Sequence, residues 1–111
     1  MPGKELTARV VRKDSGSVIA LSGTVDKNAK NPMENAYEEA SGGNGQIILD
    51  FNEVDYINSS GIAVLVGILA MARAEGQEVG AVGLTDHYRE VFRITRLSDF
   101  MQIYEKAPSW S

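Results

Sequence analysis

Two adjacent hydroxyls, Ser59 and Ser60 in the stretch Asn58-Ser59-Ser60-Gly61, are the side chains best placed in this sequence to do or receive chemistry. A strand-like run, Gln46-Ile47-Ile48-Leu49-Asp50-Phe51, precedes them, followed by a polar connection from Asn52 to Tyr56. After them, apolar residues fall at Ile62, Leu65, Val66 and Leu69, the i, i+3, i+4, i+7 face of a helix. The serines therefore stand where a strand has ended and a helix begins. A serine oxygen at that position accepts a hydrogen bond from an unpaired amide of the first turn, so Ser60 is expected to cap the helix. One cap needs one hydroxyl, and the second is surplus.

Common enzymatic uses of such a hydroxyl find little support. A Ser/His nucleophile pair would need His87, the single histidine, beside Ser59 together with an orienting acid. No G-x-S-x-G elbow is present, and His87 lies at the start of an expected exposed helix. Glycines 42, 43, 45, 80 and 83 do not form a phosphate-binding loop, because no G-K-[ST] follows them. Asp50 and Asp55 flank the polar connection and could bind Mg2+, but carboxylates at strand ends are more often solvated or capping. No metal, no cofactor and no catalytic residue is expected. Asp26, between a strand and a polar loop, reads as a solvated loop acid.

The bulk properties set the frame. A chain of 111 residues makes one domain of ordinary size, and 43% hydrophobic content suffices for a core. The net charge of −4 is spread over both signs with no Lys/Arg block, so neither nucleic acid nor an anionic membrane is an expected partner. The longest apolar run, Ile62 to Ala72, is about half of what a membrane-spanning helix needs. The first residues lack the apolar core of a signal peptide, and the absence of cysteine removes disulfides, thiol chemistry and thiolate metal sites. A cytoplasmic location is expected.

The elements that must position the serines follow from periodicity and punctuation. Leu6 to Lys13 alternates as an edge-like strand, Asp14-Ser15-Gly16-Ser17 is turn chemistry, and Val18 to Leu21 is a more buried strand paired with the first as a hairpin. Gly23 is expected to end that strand, leaving Ser22 to Lys30 polar. Asn31-Pro32-Met33-Glu34 predicts a helix start, with Asn31 as cap, Pro32 in the first turn and Glu34 closing a capping box. Met33, Ala36, Tyr37 and Ala40 form its apolar stripe, and Ser41-Gly42-Gly43-Asn44-Gly45 stops it. The third strand is Gln46 to Phe51, apolar on consecutive residues and so covered on both faces. The second helix is expected from Ser60 to Glu75, with small residues Ala63, Gly67 and Ala70 letting it lie close to a neighbour. Glu78 to Leu84 is a fourth strand. A third helix runs from Thr85-Asp86 to about Thr95 with Tyr88, Val91, Phe92 and Thr95 on one face. Phe100 to Tyr104 is a last short strand. The expected organisation is a flexible start (1–5), one domain (6–104) and a frayed tail (105–111). Strands alternating with helices predict an α/β fold with a mixed open sheet of about four or five strands and helices mainly on one side.

With these elements placed, the chain resembles the STAS family, specifically the free-standing anti-sigma-factor antagonists of bacteria. Leu21-Ser22-Gly23-Thr24-Val25-Asp26 is similar to the family's L-x-G-x-[LIV]-D, and Asn58-Ser59-Ser60-Gly61-Ile62-Ala63-Val64-Leu65 to its D-S-[STA]-G-[LI]-x-x-L. Arg89 to Leu97 is similar to its third helix and the leucine that follows. The resemblance implies partner switching. The unphosphorylated antagonist binds an anti-sigma factor that is also a serine kinase, the kinase phosphorylates the antagonist and so ends the complex, and a PP2C-type phosphatase restores it. Carried over by position, the phosphorylated residue is Ser59, and Thr24, Asp26, Asn58, Ser60, Gly61 and Ile62 contact the partner. Two departures stand out. Asn58 replaces the usual Asp, removing a negative charge beside the hydroxyl. The family commonly ends in a fourth helix, and Glu105 to Ser111 is too short for more than one or two turns, so the core beneath it would be covered differently, as by a partner in a homodimer.

A phosphate at Ser59 would act on binding, not folding. Phosphoserine carries about −1.5 to −2 charges near neutral pH, and a helix N-terminus favours an anion. The rival expectations are a non-phosphorylated STAS scaffold in a sensory or transport assembly, and a nucleotide binder.

Overall fold

The computed structural model describes residues 4–43 and 45–111. Residues 1–3 of the expected flexible start, and Asn44 of the expected helix stop, lie outside the described residues. The chain runs β1 (Thr7–Lys13), β2 (Gly16–Val25), a 3-10 turn (Lys27–Ala29), α1 (Lys30–Ser41), β3 (Gln46–Ile57), α2 (Ser59–Ala74), β4 (Val79–Val82), α3 (Asp86–Ile94), a second 3-10 turn (Leu97–Asp99) and β5 (Gln102–Ile103).

The five strands form one sheet in the order β1-β2-β3-β4-β5. β1 and β2 pair antiparallel through a tight connection at Asp14-Ser15, and every later pair is parallel. Each parallel pair requires a crossover, and crossovers are right-handed. A strand order that never reverses therefore lays all three helices on the same face. The core shows this: Ile19, Leu21, Ile47, Leu49 and Ala81 from alternate strand positions cluster with Met33 and Tyr37 of α1, Leu65, Ile68 and Leu69 of α2, and Phe92 of α3. Phe92 meets Phe51 of β3 edge-on, with ring centroids 5.7 Å apart. Burying Leu65, Ile68 and Leu69 contributes about 1.5–3 kcal/mol each. This is the α/β architecture expected from the alternation of strands and helices.

Several local expectations are corrected. Gly23 does not end β2: it takes φ +103 at an irregularity in the β2–β3 pairing, and the strand continues to Val25. A β-carbon there would crowd the Glu5 carbonyl at 2.6 Å, so the glycine lets the incoming chain pass close over the strand. The expected polar connection from Asn52 to Tyr56 belongs to β3, pairing with β2 as far as Val25–Ile57. It reads as a loop because β4 stops at Val82, leaving this half of the strand without its second neighbour. Neither Asn31 nor Pro32 starts α1. The helix begins at Lys30, directly after the 3-10 turn, with no side-chain cap at Ala29. On α2 the buried face is Leu65, Ile68, Leu69 and Ala72, while Val66 is 49% exposed and Ile62 only partly covered. Ala63, Gly67 and Ala70, expected against a neighbour, face outward. Trp110, for which the sequence offers no role, lies against Gly16 of β2.

Tyr37 of α1 is buried and donates its hydroxyl to Glu75 Oε1 at the end of α2, at 2.7 Å. Burial, reinforced by the Glu75 carboxylate, pushes the phenol well above its ordinary value. The neutral phenol therefore stabilises the fold below about pH 10, and that contribution is lost as pH rises further. Tyr37→Phe is expected to cost about 1 kcal/mol at neutral pH and to remove part of the alkaline loss, read by urea unfolding as a function of pH.

Candidate functional site

The site is built where β2 and β3 end side by side. Their last paired residues are Val25 and Ile57, and three backbone amides at and just beyond that point are each held by a different partner. Ile57 N donates to the Tyr88 hydroxyl of α3 at 3.0 Å. Asn58 N donates to the Val25 carbonyl of β2 at 3.2 Å. Gly61 N donates to the Asn58 side-chain oxygen at 2.8 Å. Asn58 is thus the cap of α2, in the extended conformation with φ −102. The expectation that Ser60 caps the helix is overturned. Asn58 stands one residue before the first helical position, where a side-chain oxygen reaches the amide three residues on, and Ser60 is already inside the first turn.

With the cap supplied by Asn58, both serines are released from it. Ser59 and Ser60 are the first two residues of α2 and both are exposed. Gly61 is buried between α2 and β2, and a β-carbon there would collide with the Val25 carbonyl. The close approach of α2 to the sheet therefore occurs at Gly61, at the base of the site, and not along the stripe Ala63, Gly67, Ala70. Ile62 follows, half-buried.

The remaining residues lie on the same rim. Thr24, 5% exposed, donates its hydroxyl to Asp55 Oδ1 across the strand pair at 3.0 Å. Asp26, half-buried just past the end of β2, accepts from the amide of Asn28 at 2.9 Å and caps the 3-10 turn. Asp50 turns back onto Asn52, taking its backbone and side-chain N–H groups at 2.9 and 2.8 Å. Asp26, Asp50 and Asp55 thus each have a local partner. Among the described residues no group of three or more His, Asp or Glu side chains could hold a metal ion. His87 is exposed and stacks edge-on with Tyr88, its ring 4.9 Å away. Tyr88 lies at the site and the sequence gives it only a place on the face of the third helix, while Asp55, considered from the sequence only as a metal ligand, is instead the partner of Thr24. Their roles rest on contacts 31 residues apart, for which no local pattern exists.

The cavity beside this rim, lined by Phe51, Asn52, Val54, Ile57 and Tyr88 among others, holds only about 50 Å3. Ligand pockets for drug-sized molecules run from about 300 Å3 upward. A larger open groove of about 660 Å3 lies at the other end of α2, between Leu69, Ala72, Arg73 and the stretch Ser98–Ile103. The rim around Ser59 is a surface, not a pocket.

A family model described as "Mlab, STAS domain" matches residues 8–103. The chain is 28% identical over 100 residues to the anti-sigma-B factor antagonist of Listeria monocytogenes, covering 88% of each chain. It is 28% identical over 83 residues to the intermembrane phospholipid transport system binding protein MlaB of Escherichia coli, covering 75% of this chain and 80% of that one. The fold matches the solved structure of the Bacillus cell fate determinant SpoIIAA in its phosphorylated form, with a TM-score of 0.64 and 21% identity, over 92% of this chain and 93% of the other.

The cap assignment separates four substitutions. Asn58→Ala is expected to lower stability by about 1 kcal/mol, with Asn58→Asp close to wild type. Ser60→Ala is expected to stay within about 0.5 kcal/mol. Gly61→Ala is expected to cost about 1–3 kcal/mol, because the obstructing atom is backbone and cannot swing aside. Chemical denaturation of the four variants checks the order.

Proposed function

The chain belongs to the STAS domain family, and from that premise we propose that it is an anti-sigma-factor antagonist that binds an anti-sigma serine kinase and is switched off by phosphorylation of Ser59. The observation that carries this reading is the division of labour at the start of α2: Asn58 makes the cap, and Ser59 is left exposed at the first helical position. A kinase can reach such a hydroxyl without unwinding the helix. The acidic product meets unpaired amides and the positive end of the helix dipole, so the domain tolerates the phosphate. The partner does not, if an apolar or acidic surface faces Ser59. Each tenfold loss of affinity needs only about 1.4 kcal/mol, and two such steps make an effective switch.

In this reading Thr24, Asp26, Asn58, Ser60, Gly61 and Ile62 form the partner-facing rim, and a PP2C-type phosphatase resets the cycle. Like the partner, these are carried by likeness to the anti-sigma factor antagonists, as is a cytoplasmic setting. No described helix is long and apolar enough to cross a membrane. The protein acts as a substrate and binding partner, not as an enzyme.

A second reading is favoured by the likeness to MlaB, whose name places it in a phospholipid transport system. Here the same rim docks constitutively on another protein, and Ser59 is a contact and not a switch. Asn58 suits this reading, since a kinase that recognises the family's acid would lack it. The small cavity beside the rim speaks against a nucleotide site.

Pull-down with Ser59→Ala is expected to capture the kinase, and phosphopeptide mass spectrometry on wild type from native cells to find phosphate on Ser59 that varies with condition. Ser59→Asp is expected to keep wild-type stability while binding the captured partner roughly hundredfold more weakly, about 2.7 kcal/mol. Equal binding by Ser59→Ala and Ser59→Asp, with no phosphate under any condition, selects the scaffold. Asn58→Asp is expected to raise the rate of phosphorylation by an acid-recognising kinase, read in a single-turnover assay with the captured enzyme.

A further inference from the structure

With every helix on one face of the sheet, the other face must be covered by something else. Its middle is apolar: Ile48 is 0% and Val82 4% exposed, and neither belongs to the helix-side core. Two glycines on this face, Gly16 on β2 and Gly80 on β4, are each filled by an aromatic ring from the segment after β5. The Trp110 ring carbon Cη2 stands 2.6 Å from where a Gly16 β-carbon would be. Tyr104 Cε2 stands 2.7 Å from the equivalent point at Gly80, and its hydroxyl accepts from Gln46 Nε2 at 3.1 Å. Gly16 and Gly80 are two strand spacings apart and two residues offset along the strands, roughly 12 Å, which six residues span with slack.

The segment is held by its rings more than by its backbone. Tyr104 N donates to the Ala81 carbonyl at 2.8 Å, the last sheet bond of the chain. Beyond it, among the described residues, the backbone bond of 105–111 is internal, from Ser111 N to the Pro108 carbonyl at 2.9 Å. The Glu105–Arg89 ion pair, at 3.5 Å, has its carboxylate well exposed. Few backbone bonds and two ring contacts are the features of a unit that opens before the rest of the fold.

We propose that residues 104–111 are a displaceable strap, and that the sheet face beneath it is a docking face for a second copy of this chain. The occupant follows from the face itself. Val11, Val18 and Ile48 lie in one lateral row, and in the adjacent row Arg9 on β1 and Asp50 on β3 flank Ala20. An apolar row beside a row with one cation and one anion is self-complementary under a two-fold axis, each Arg9 meeting the Asp50 of the other copy. Uncovering such a patch favours association. The inference is independent of the state of Ser59, which lies at the helix-side rim.

Trp110 is the single tryptophan, so the strap reports on itself. In wild type, acrylamide quenching of its fluorescence is expected to be several-fold weaker than that of a free tryptophan amide, with the protein monomeric by sedimentation velocity. Trp110→Ala is expected to keep the far-ultraviolet circular dichroism of the sheet and to dimerise at least tenfold more tightly than wild type. Adding Arg9→Glu, at an exposed edge position, is expected to reverse that gain by at least tenfold. The proposal is overturned if Trp110 is quenched like the free amide, if wild type is already dimeric, if Trp110→Ala stays monomeric or unfolds, or if Arg9→Glu leaves the dimer unchanged.

Discussion

The sheet order β1-β2-β3-β4-β5 is the constraint on which the rest of this structure depends. Each step from one parallel strand to the next moves in the same direction, and the handedness of the crossover leaves the helices no choice of side. The core is consequently one-sided, built from alternate strand residues and the inner faces of α1, α2 and α3. Among the described strands no point exists at which neighbouring crossovers diverge to opposite faces, and it is at such points that open α/β sheets form crevices for small ligands. What the carboxyl ends of β2 and β3 offer is a rim. A rim suits recognition by another protein, and the cavity beside it is too small for much else.

On that rim the backbone is over-determined while the serine side chains are exposed. The amides of Ile57, Asn58 and Gly61 are tied to α3, to β2 and to the loop's own cap. Gly61 sets the depth at which α2 meets β2, because no other residue has room against the Val25 carbonyl. Ser59 rides on this rigid base with its hydroxyl directed to neither cap nor core. Asn58 supplies the cap without a charge. Its amide oxygen accepts from the Gly61 amide, as an aspartate at this position could.

Strand and helix alternation, the hairpin, and the position of the serines at a helix start were legible because each is written locally, in periodicity and punctuation. What was not legible depends on neighbours. Asn52 to Ile57 reads as a connection because its strand character comes from pairing with Ser22 to Val25, on one side only. Gly23 reads as a terminator because its passage under Glu5 is invisible in a linear pattern. Ile68 and not Val66 is buried on α2 because the helix packs by the face that Gly61 turns to the sheet, which Leu65, Ile68 and Ala72 share. The cap was misassigned between residues of equal propensity, where spacing to Gly61 decides and residue type does not. The residues put forward by resemblance lie together on one rim, while Tyr88 joins them through a tertiary hydrogen bond alone.

The outer face of α2 has a further consequence. Ala63, Gly67, Ala70 and Ala74 are exposed, with nothing within 4 Å of the point where a Gly67 β-carbon would stand. Alanine and glycine have no rotamers to freeze, whereas long side chains lose up to about 2 kcal/mol of conformational entropy each when ordered. A surface of this kind can be covered and uncovered repeatedly with almost no entropy change on its own side. The stabilisation of any contact made there is then set by the other partner's side chains, so its strength is tuned by the partner and not by this domain.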